Sequence, residues 1–163
     1  MAGALTRHSS LIAAMRYLIV DGHSVIFAWP ELRQLHGRRT ALARDRLVKL
    51  LTEYQDASGV RVVAVFDGKG EKSAEATEPG GIQIFYSGIG QTADEIVERL
   101  VAKYASQHEI TVATSDLMEQ QTATSFGALV VSAVGLRPWL AEARSNLERS
   151  LKNLRQNKSG DRY

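Results

Sequence analysis

Short hydrophobic runs alternate with longer amphipathic stretches along most of this chain. Five runs are rich in Val, Ile and other apolar residues and have the length of buried strands: residues 16–20, 61–66, 82–86, 109–113 and 128–131. Runs of this kind are typical of parallel strands that are covered on both faces. The pattern therefore predicts a sheet of five strands.

The stretches between these runs predict helices. Apolar side chains recur at helical spacing over residues 40–57, 92–104, 117–125 and 138–155. Thr92 and Glu95 match a capping box at the start of the second stretch, and Pro138 suits the first turn of the last. Alternating strands and helices predict an α/β fold with three layers, α/β/α, around a mostly parallel five-stranded sheet.

Two segments lack any such periodicity. The residues after the first strand contain Gly22, Pro30 and Gly37 and are predicted to form a loop. Residues 68–81 are polar and are expected to be mobile, without an element of their own.

A length of 163 residues fits one domain with a full-sized core. We predict a disordered tail over residues 1–15, one domain over 16–155 and a basic C-terminal tail over 156–163. No run is long and apolar enough to span a membrane, so no membrane partner is predicted.

The chain contains no cysteine, which excludes disulfides, thiolate zinc sites and cysteine nucleophiles. This composition agrees with a reducing compartment, and we predict a cytoplasmic protein. The apolar fraction of 44% and the charged fraction of 23% are those of an ordinary globular protein.

Four acidic residues stand where strands end or helices begin. Asp21, Asp67 and Asp116 follow predicted strands, and Asp94 lies in the first turn of a predicted helix. The carboxyl ends of parallel strands meet at one edge of a sheet, where ligands bind. Carboxylates that converge there repel one another unless a cation lies between them. The arrangement predicts a divalent metal and phosphate-ester chemistry.

Each acid also has a purely structural interpretation. Asp94 and Glu95 favour the helix dipole, and Asp116 is suited to capping the helix that follows it. Asp21 and Asp67 each precede a glycine, a pair that is common in turns. The four acids together favour a site.

Cations are concentrated in two parts of the chain, although the net charge is only +2. One group lies between residues 33 and 46, and the other lies between 137 and 162. Clustered cations around an acidic centre suit a polyanionic substrate, while solvated helix faces are the alternative.

Four short motifs occur in an order that resembles NYN domains, a branch of the PIN-like nucleases. They are residues 21–26 (Asp-Gly-His-Ser-Val-Ile), 65–68 (Val-Phe-Asp-Gly), 92–95 (Thr-Ala-Asp-Glu) and 112–116 (Val-Ala-Thr-Ser-Asp), with Glu119 and Gln120 just beyond. Together they look most like the YacP-like subgroup, over residues 16–155. One departure is that His23 and Ser24 stand where the family has Tyr and Asn.

The resemblance implies a PIN-like fold and a metal-dependent endoribonuclease that uses Mg²⁺ or Mn²⁺. The catalytic and metal-ligating role carries over to Asp21, Asp67, Asp94 and Asp116. Supporting hydrogen bonds are expected from Ser24, Thr114, Ser115 and Glu119. The reaction implied is hydrolysis of a phosphodiester bond.

The expected partner is RNA, single-stranded because a cleft at a sheet edge reaches a splayed strand more readily than a duplex. The candidate contacts to its backbone are Arg33, Arg38, Arg39, Arg44, Lys69 and Arg155. Tyr86, Trp29 and Trp139 are candidates for base stacking, with core packing as the alternative. His23 is either a proton shuttle or an exposed residue near the site. Relatives of this type suggest mRNA as substrate and the ribosome as a setting.

Other classes of function fit the sequence less well. An RNA- or ribosome-binding module with the same fold and no turnover is the main alternative. A receiver domain needs an acidic pair after its first strand, where this chain has Asp21 alone. A haloacid-dehalogenase-type phosphatase needs Asp at position 23, which is His23. A dinucleotide-binding domain needs a glycine fingerprint that the chain lacks. The oligomeric state is not predicted.

Overall fold

The computed structural model describes residues 15–68, 74–77 and 81–160. The predicted N-terminal tail, apart from Met15, and the predicted RNA contact Lys69 lie outside these residues.

Over these residues the sheet has six strands, in the spatial order β3-β4-β2-β1-β5-β6. Their bounds are Arg16–Asp21 (β1), Arg61–Phe66 (β2), Ala74–Thr77 (β3), Gln83–Tyr86 (β4), Glu109–Ala113 (β5) and Leu129–Val131 (β6). All neighbouring pairs are parallel except β3 with β4, which is antiparallel. The predicted mostly parallel sheet is confirmed, and its five predicted strands are all present.

Six helices lie in the described part of the chain. They are Gly22–Ala28 (α1), Pro30–Arg38 (α2), Thr40–Ser58 (α3), Ala93–Tyr104 (α4), Leu117–Ser125 (α5) and Ala133–Gly160 (α6). None of them is long and apolar enough to cross a membrane.

The sheet separates two hydrophobic cores, because successive side chains of a strand point to opposite faces. In β1, Leu18 and Val20 join one core, which α1, α2, α3 and α6 cover. Ile19 joins the other, which α4 and α5 cover. The predicted three-layer α/β/α architecture is confirmed.

The loop predicted after the first strand is wrong, because α1 and α2 occupy it. Gly22 begins α1, and a Cβ added there would lie 2.3 Å from Cε1 of Phe66. Pro30 is the first residue of α2, a position that needs no backbone N–H. Both residues looked like loop markers, but here they begin helices.

The segment predicted to have no element contains β3. Its sequence, Ala-Glu-Ala-Thr, lacks the apolar run of the central strands. An edge strand that pairs with one neighbour needs no such run. This is why hydrophobic pattern alone did not find it.

Helix α6 begins five residues before Pro138 and extends to Gly160. The prediction that Pro138 stands in its first turn is therefore wrong. The predicted domain boundary at residue 155 falls inside this helix, so residues 156–160 of the predicted tail are helical.

Candidate functional site

The candidate site lies at the carboxyl edge of the sheet, between β1 and β5. These strands are parallel neighbours, and Val20 pairs with Ala113. The next residue on β1 is Asp21, and the residue that follows β5 is Thr114. Both side chains are therefore brought to the same edge, which is where ligands bind in open α/β sheets.

Three carboxylates converge at this edge. One oxygen from each of Asp21, Asp94 and Glu119 lies within 4.8 Å of the other two, and we call this group the acidic triad. Asp21 and Glu119 are only 5% and 2% exposed, and Asp94 is half-buried. Asp21 and Asp94 were predicted as ligands, whereas Glu119 was predicted only as a supporting residue.

Glu119 is the triad member whose pKa is shifted by its surroundings. Burial, a hydrogen bond with Asp94 and the charge of Asp21 raise the pKa of this carboxyl from 4.5 to about 10. Its Oε1 atom is buried and has no hydrogen-bond partner. A buried carboxylate oxygen without a donor is strongly disfavoured, so Oε1 needs either a proton, which the hydrogen bond with Asp94 would use, or a cation.

Two hydroxyl groups connect the buried acids. Ser24 Oγ donates to Asp21 Oδ2 at 2.9 Å. Thr114 Oγ1 lies 3.2 Å from the same oxygen and 3.3 Å from Glu119 Oε2. The single hydroxyl proton of Thr114 can serve only one of these carboxylates at a time. The hydroxyl groups therefore hold the acids in place without neutralising them.

The donor set fits a hard divalent cation. All ligand atoms that the triad offers are carboxylate oxygens, which suit Mg²⁺ and Mn²⁺. The buried, unpartnered Oε1 of Glu119 is a position where a cation would supply the missing interaction.

Asp67 is not part of the triad and contacts the start of α4 instead. Its Oδ1 accepts from the backbone N–H of Ala93 at 2.9 Å and from Ser87 Oγ at 3.3 Å. Ala93 directly precedes Asp94. Asp67 thus fixes the helix end that carries one triad member.

Asp116 is also outside the triad. Its Oδ1 accepts from the N–H groups of Met118, at 2.9 Å, and of Glu119, at 3.3 Å. This is the helix cap that the sequence allowed as an alternative. The cap positions the first turn of α5, and Glu119 with it.

The remaining predicted supporting residues divide into two kinds. Ser24 and Thr114 belong to the hydrogen-bond network described above. Ser115 is exposed and lies outside that network. Gln120, which was not predicted to contribute, donates from Nε2 to the carbonyl oxygen of Thr114 at 2.8 Å.

Of the predicted RNA contacts that the structure describes, Arg44 is bonded to the backbone of Asp67. Its guanidinium donates to the carbonyl oxygen of Asp67 at 2.7 Å and lies over the rings of Phe66 and Tyr86. Arg33, Arg38 and Arg39 are exposed on α2 and just after it.

Arg155 lies elsewhere in the molecule. Trp139, Glu142 and Asn146 of α6 share a groove of about 520 Å³ with Arg16 and with Glu109, the first residues of β1 and β5. Helix α6 therefore runs toward the edge of the sheet opposite the triad. Arg155 is nine residues further along this helix. The fold therefore separates Arg155 from the other predicted RNA contacts that the structure describes.

The three predicted stacking residues are in different surroundings. Trp29 is 2% exposed and donates from Nε1 to the carbonyl oxygen of Ala133, so it belongs to the core. Tyr86 is half-buried beneath Arg44. Trp139 is partly exposed, but it lies in the groove at the opposite edge.

Comparison with known proteins places the chain in a family. A family model described as the YacP-like NYN domain matches residues 18–162. YacP of Bacillus subtilis (strain 168), an uncharacterized protein, is 34% identical over 146 residues, which cover 88% of this chain and 86% of that protein.

Two crystal structures of Rae1 (YacP) from Bacillus subtilis are also similar. One, of a mutant, has a TM-score of 0.71 and 32% identity, and the match covers 85% of this chain and 82% of that one. The other has a TM-score of 0.69 and 33% identity, with 90% and 85% covered. Sequence and fold agree: the chain belongs to the YacP-like NYN domain family.

Proposed function

We propose that this protein is an endoribonuclease that depends on Mg²⁺ or Mn²⁺ and hydrolyses phosphodiester bonds of single-stranded RNA, with mRNA as its substrate. The observation that carries the proposal is the acidic triad with its buried, unpartnered Glu119 oxygen. Membership of a family of PIN-like nucleases supports it.

The ion would be held by Asp21, Asp94 and Glu119. When bound, a divalent ion neutralises charge on the phosphate and makes a water more acidic. Ser24 and Thr114 hold the Asp21 carboxylate at a fixed orientation through its Oδ2 atom. A carboxylate held in this way would bind the ion at one fixed place.

Asp67 and Asp116 complete the proposed acidic set at its rim. Each uses Oδ1 to hold a backbone segment that carries a triad member. Their charges add to the negative field that attracts a divalent cation. We propose that they contribute through position and charge, with the triad providing the direct ligands.

The proposed substrate contacts are the exposed cations on and after α2, together with Arg44. Arg33, Arg38 and Arg39 point to a backbone contact without base recognition. The absence of cysteine supports a cytoplasmic location, where mRNA is available.

A cleavage assay tests the proposal. Labelled single-stranded RNA is incubated with the protein in Mg²⁺ or Mn²⁺, and then in excess chelator. We expect cutting that stops in chelator and falls at least 100-fold in Asp21→Asn and in Glu119→Gln. Glu98→Gln, which changes an exposed acid on α4, is the matched control and should cut normally.

Two results would contradict the proposal. Cutting that persists in chelator would remove the role of the metal. Tight RNA binding without cutting, unchanged by chelator or by Asp21→Asn, would instead support an RNA- or ribosome-binding module with no turnover.

A further inference from the structure

Three aromatic rings form a continuous surface on α1 and α2. The ring centroids of His23 and Phe27 are 4.4 Å apart, and those of Phe27 and His36 are 4.8 Å apart. His23 is exposed, His36 is half-buried and Phe27 is 39% exposed. We call these three residues the aromatic patch.

The patch starts beside the acidic triad. Asp21, a triad member, is the N-cap of α1, and His23 is the second residue of that helix. Phe27 lies one turn further, on the same face. The opposite face of α1 carries Val25 and Ile26 into the core. The core therefore takes up the inner face of α1 and leaves the face with His23 and Phe27 partly open to solvent.

Exposed cations stand close to the patch along the chain. Arg33 precedes His36 by one turn of α2, and Arg38 and Arg39 follow it. Within residues 15–68, 74–77 and 81–160, none of these three arginines forms an ion pair. Aromatic faces next to unpaired guanidinium groups are the combination that binds single-stranded nucleic acid, through base stacking and phosphate contacts.

We infer that the aromatic patch is a stacking platform for unpaired RNA bases next to the phosphate that the triad addresses. This rests on the proposed function and adds to it the part that selects single strands. Bases in a duplex are already stacked on one another and are not available to Phe27. The stacking is sequence-tolerant, since every base has an aromatic face.

The test measures RNA affinity without turnover. Fluorescence anisotropy with a labelled single-stranded RNA is recorded in the Asp21→Asn background, for Phe27 and for three substitutions of it: Phe27→Ala, Phe27→Leu and Phe27→Trp. We expect Ala and Leu to weaken binding by about 5- to 100-fold and Trp to preserve it. Leu keeps apolar contact and loses the ring, so it separates stacking from simple apolar burial.

Two controls make the result specific. Phe126→Ala removes a phenylalanine that is 49% exposed at the end of α5, and it should leave affinity unchanged. An RNA with abasic sites in place of bases should bind equally to the parent and to Phe27→Ala. Circular dichroism on each variant confirms that the fold is retained.

The inference is overturned if Phe27→Ala binds single-stranded RNA as tightly as the parent, or if Phe27→Leu does. It is also overturned if a duplex of the same sequence shows the same dependence on Phe27. Because no arm needs cleavage, the stacking platform can stand if the nuclease proposal fails, and it can fail if that proposal stands.

Discussion

The protonation of Glu119 is set by its surroundings in the fold. It is buried, one of its oxygens has no partner, and its pKa is raised to about 10 by burial and by its acidic neighbours. At neutral pH it therefore carries a proton in the metal-free protein. A bound cation would replace that proton and would thereby couple metal affinity to pH.

The first prediction concerns stability against pH. The pKa of Glu119 is about 10 in the folded protein and about 4.5 in the unfolded chain. The stability that this group contributes is therefore fully present below about pH 4.5. That contribution is lost as pH rises through about 10. At pH 9 in chelator, we expect Glu119→Gln to have a higher melting temperature than the wild type, by about 2–4 °C for each kcal/mol of unfolding free energy gained. We expect this difference in melting temperature to be smaller at pH 5.

Thermal melts at pH 5, 7 and 9 check this, with Glu98→Gln as the control on the neighbouring helix. A melting difference that does not change with pH would contradict a raised Glu119 pKa. So would a Glu98→Gln variant that behaves like Glu119→Gln.

The second prediction concerns the Thr114 hydroxyl. Thr114→Val keeps the shape but removes the group shared by Asp21, Glu119 and the Asp116 N–H. Losing a hydrogen bond behind a ligand typically costs 10- to 100-fold in metal affinity. We expect Thr114→Val to lose metal affinity by this factor and Thr114→Ser to keep the affinity of the wild type. The measurement is the Mn²⁺ concentration needed for half-maximal cleavage. Equal values for Val and Ser would show that the hydroxyl is not needed.

Sequence reasoning selected all three members of the triad, two as ligands and Glu119 as a supporting residue. Asp21 and Asp94 were predicted from their places at a strand end and in a first helical turn. The resemblance carried the ligand role to Asp116, and Glu119, just beyond that motif, was predicted only as a supporting residue. In the structure Asp116 caps the helix, and the cap turns Glu119 inward to the buried position.

At the scale of elements, the start of α4 is held by the Asp67 carboxylate together with its Thr92 cap, whose Oγ1 accepts from the N–H of Glu95 at 3.2 Å. Asp67 holds the Ala93 N–H and is bonded by Ser87, a residue that sequence pattern did not single out. Close approach tightens this junction, since a Cβ at Gly68 would lie 2.0 Å from the Ser87 carbonyl oxygen. Hydrogen-bond partners 20 and 26 residues apart are set by tertiary structure, which local pattern does not reveal.

The third prediction separates position from charge at Asp67. Asp67→Asn keeps an oxygen that accepts from Ala93, whereas Asp67→Ala removes it. We expect both variants to lose activity and Ala to lose about tenfold more, with a lower melting temperature only for Ala. Single-turnover cleavage and thermal melts measure the two effects. Equal activity in Asn and Ala would mean that charge alone matters and that Asp67 does not position α4.

The three elements that the sequence did not predict all have a weak hydrophobic pattern. Helices α1 and α2 are seven and nine residues long, too short for their apolar periodicity to outweigh Gly22 and Pro30. Strand β3 carries no hydrophobic run. The missed helices also carry the aromatic patch, whose ring contacts join α1 to α2 and could not be read from the sequence without them.

At the scale of the whole molecule, the cations divide into two regions. Arg33, Arg38, Arg39 and Arg44 belong to the segment that follows the triad strand β1. Arg155 lies 22 residues beyond the start of α6, about 33 Å along the helix at 1.5 Å per residue. A short RNA held at the triad does not need to reach it.

The fourth prediction follows from this division. With an RNA of about six nucleotides, we expect Arg155→Glu to change the cleavage rate by less than about twofold. Arg33→Glu should reduce it at least fivefold and make it more sensitive to salt. Rates at two salt concentrations check both. An equal loss in the two variants would mean that the far end of α6 contributes to the same binding site.

The central claim is that Asp21, Asp94 and Glu119 together bind a divalent cation. Calorimetric titration of Mn²⁺ into the wild type, Glu119→Gln and Glu98→Gln at pH 8 tests it most directly. We predict one site in the wild type and in Glu98→Gln, with proton release on binding, and at least tenfold weaker binding in Glu119→Gln. Unchanged Mn²⁺ affinity in Glu119→Gln would contradict the account.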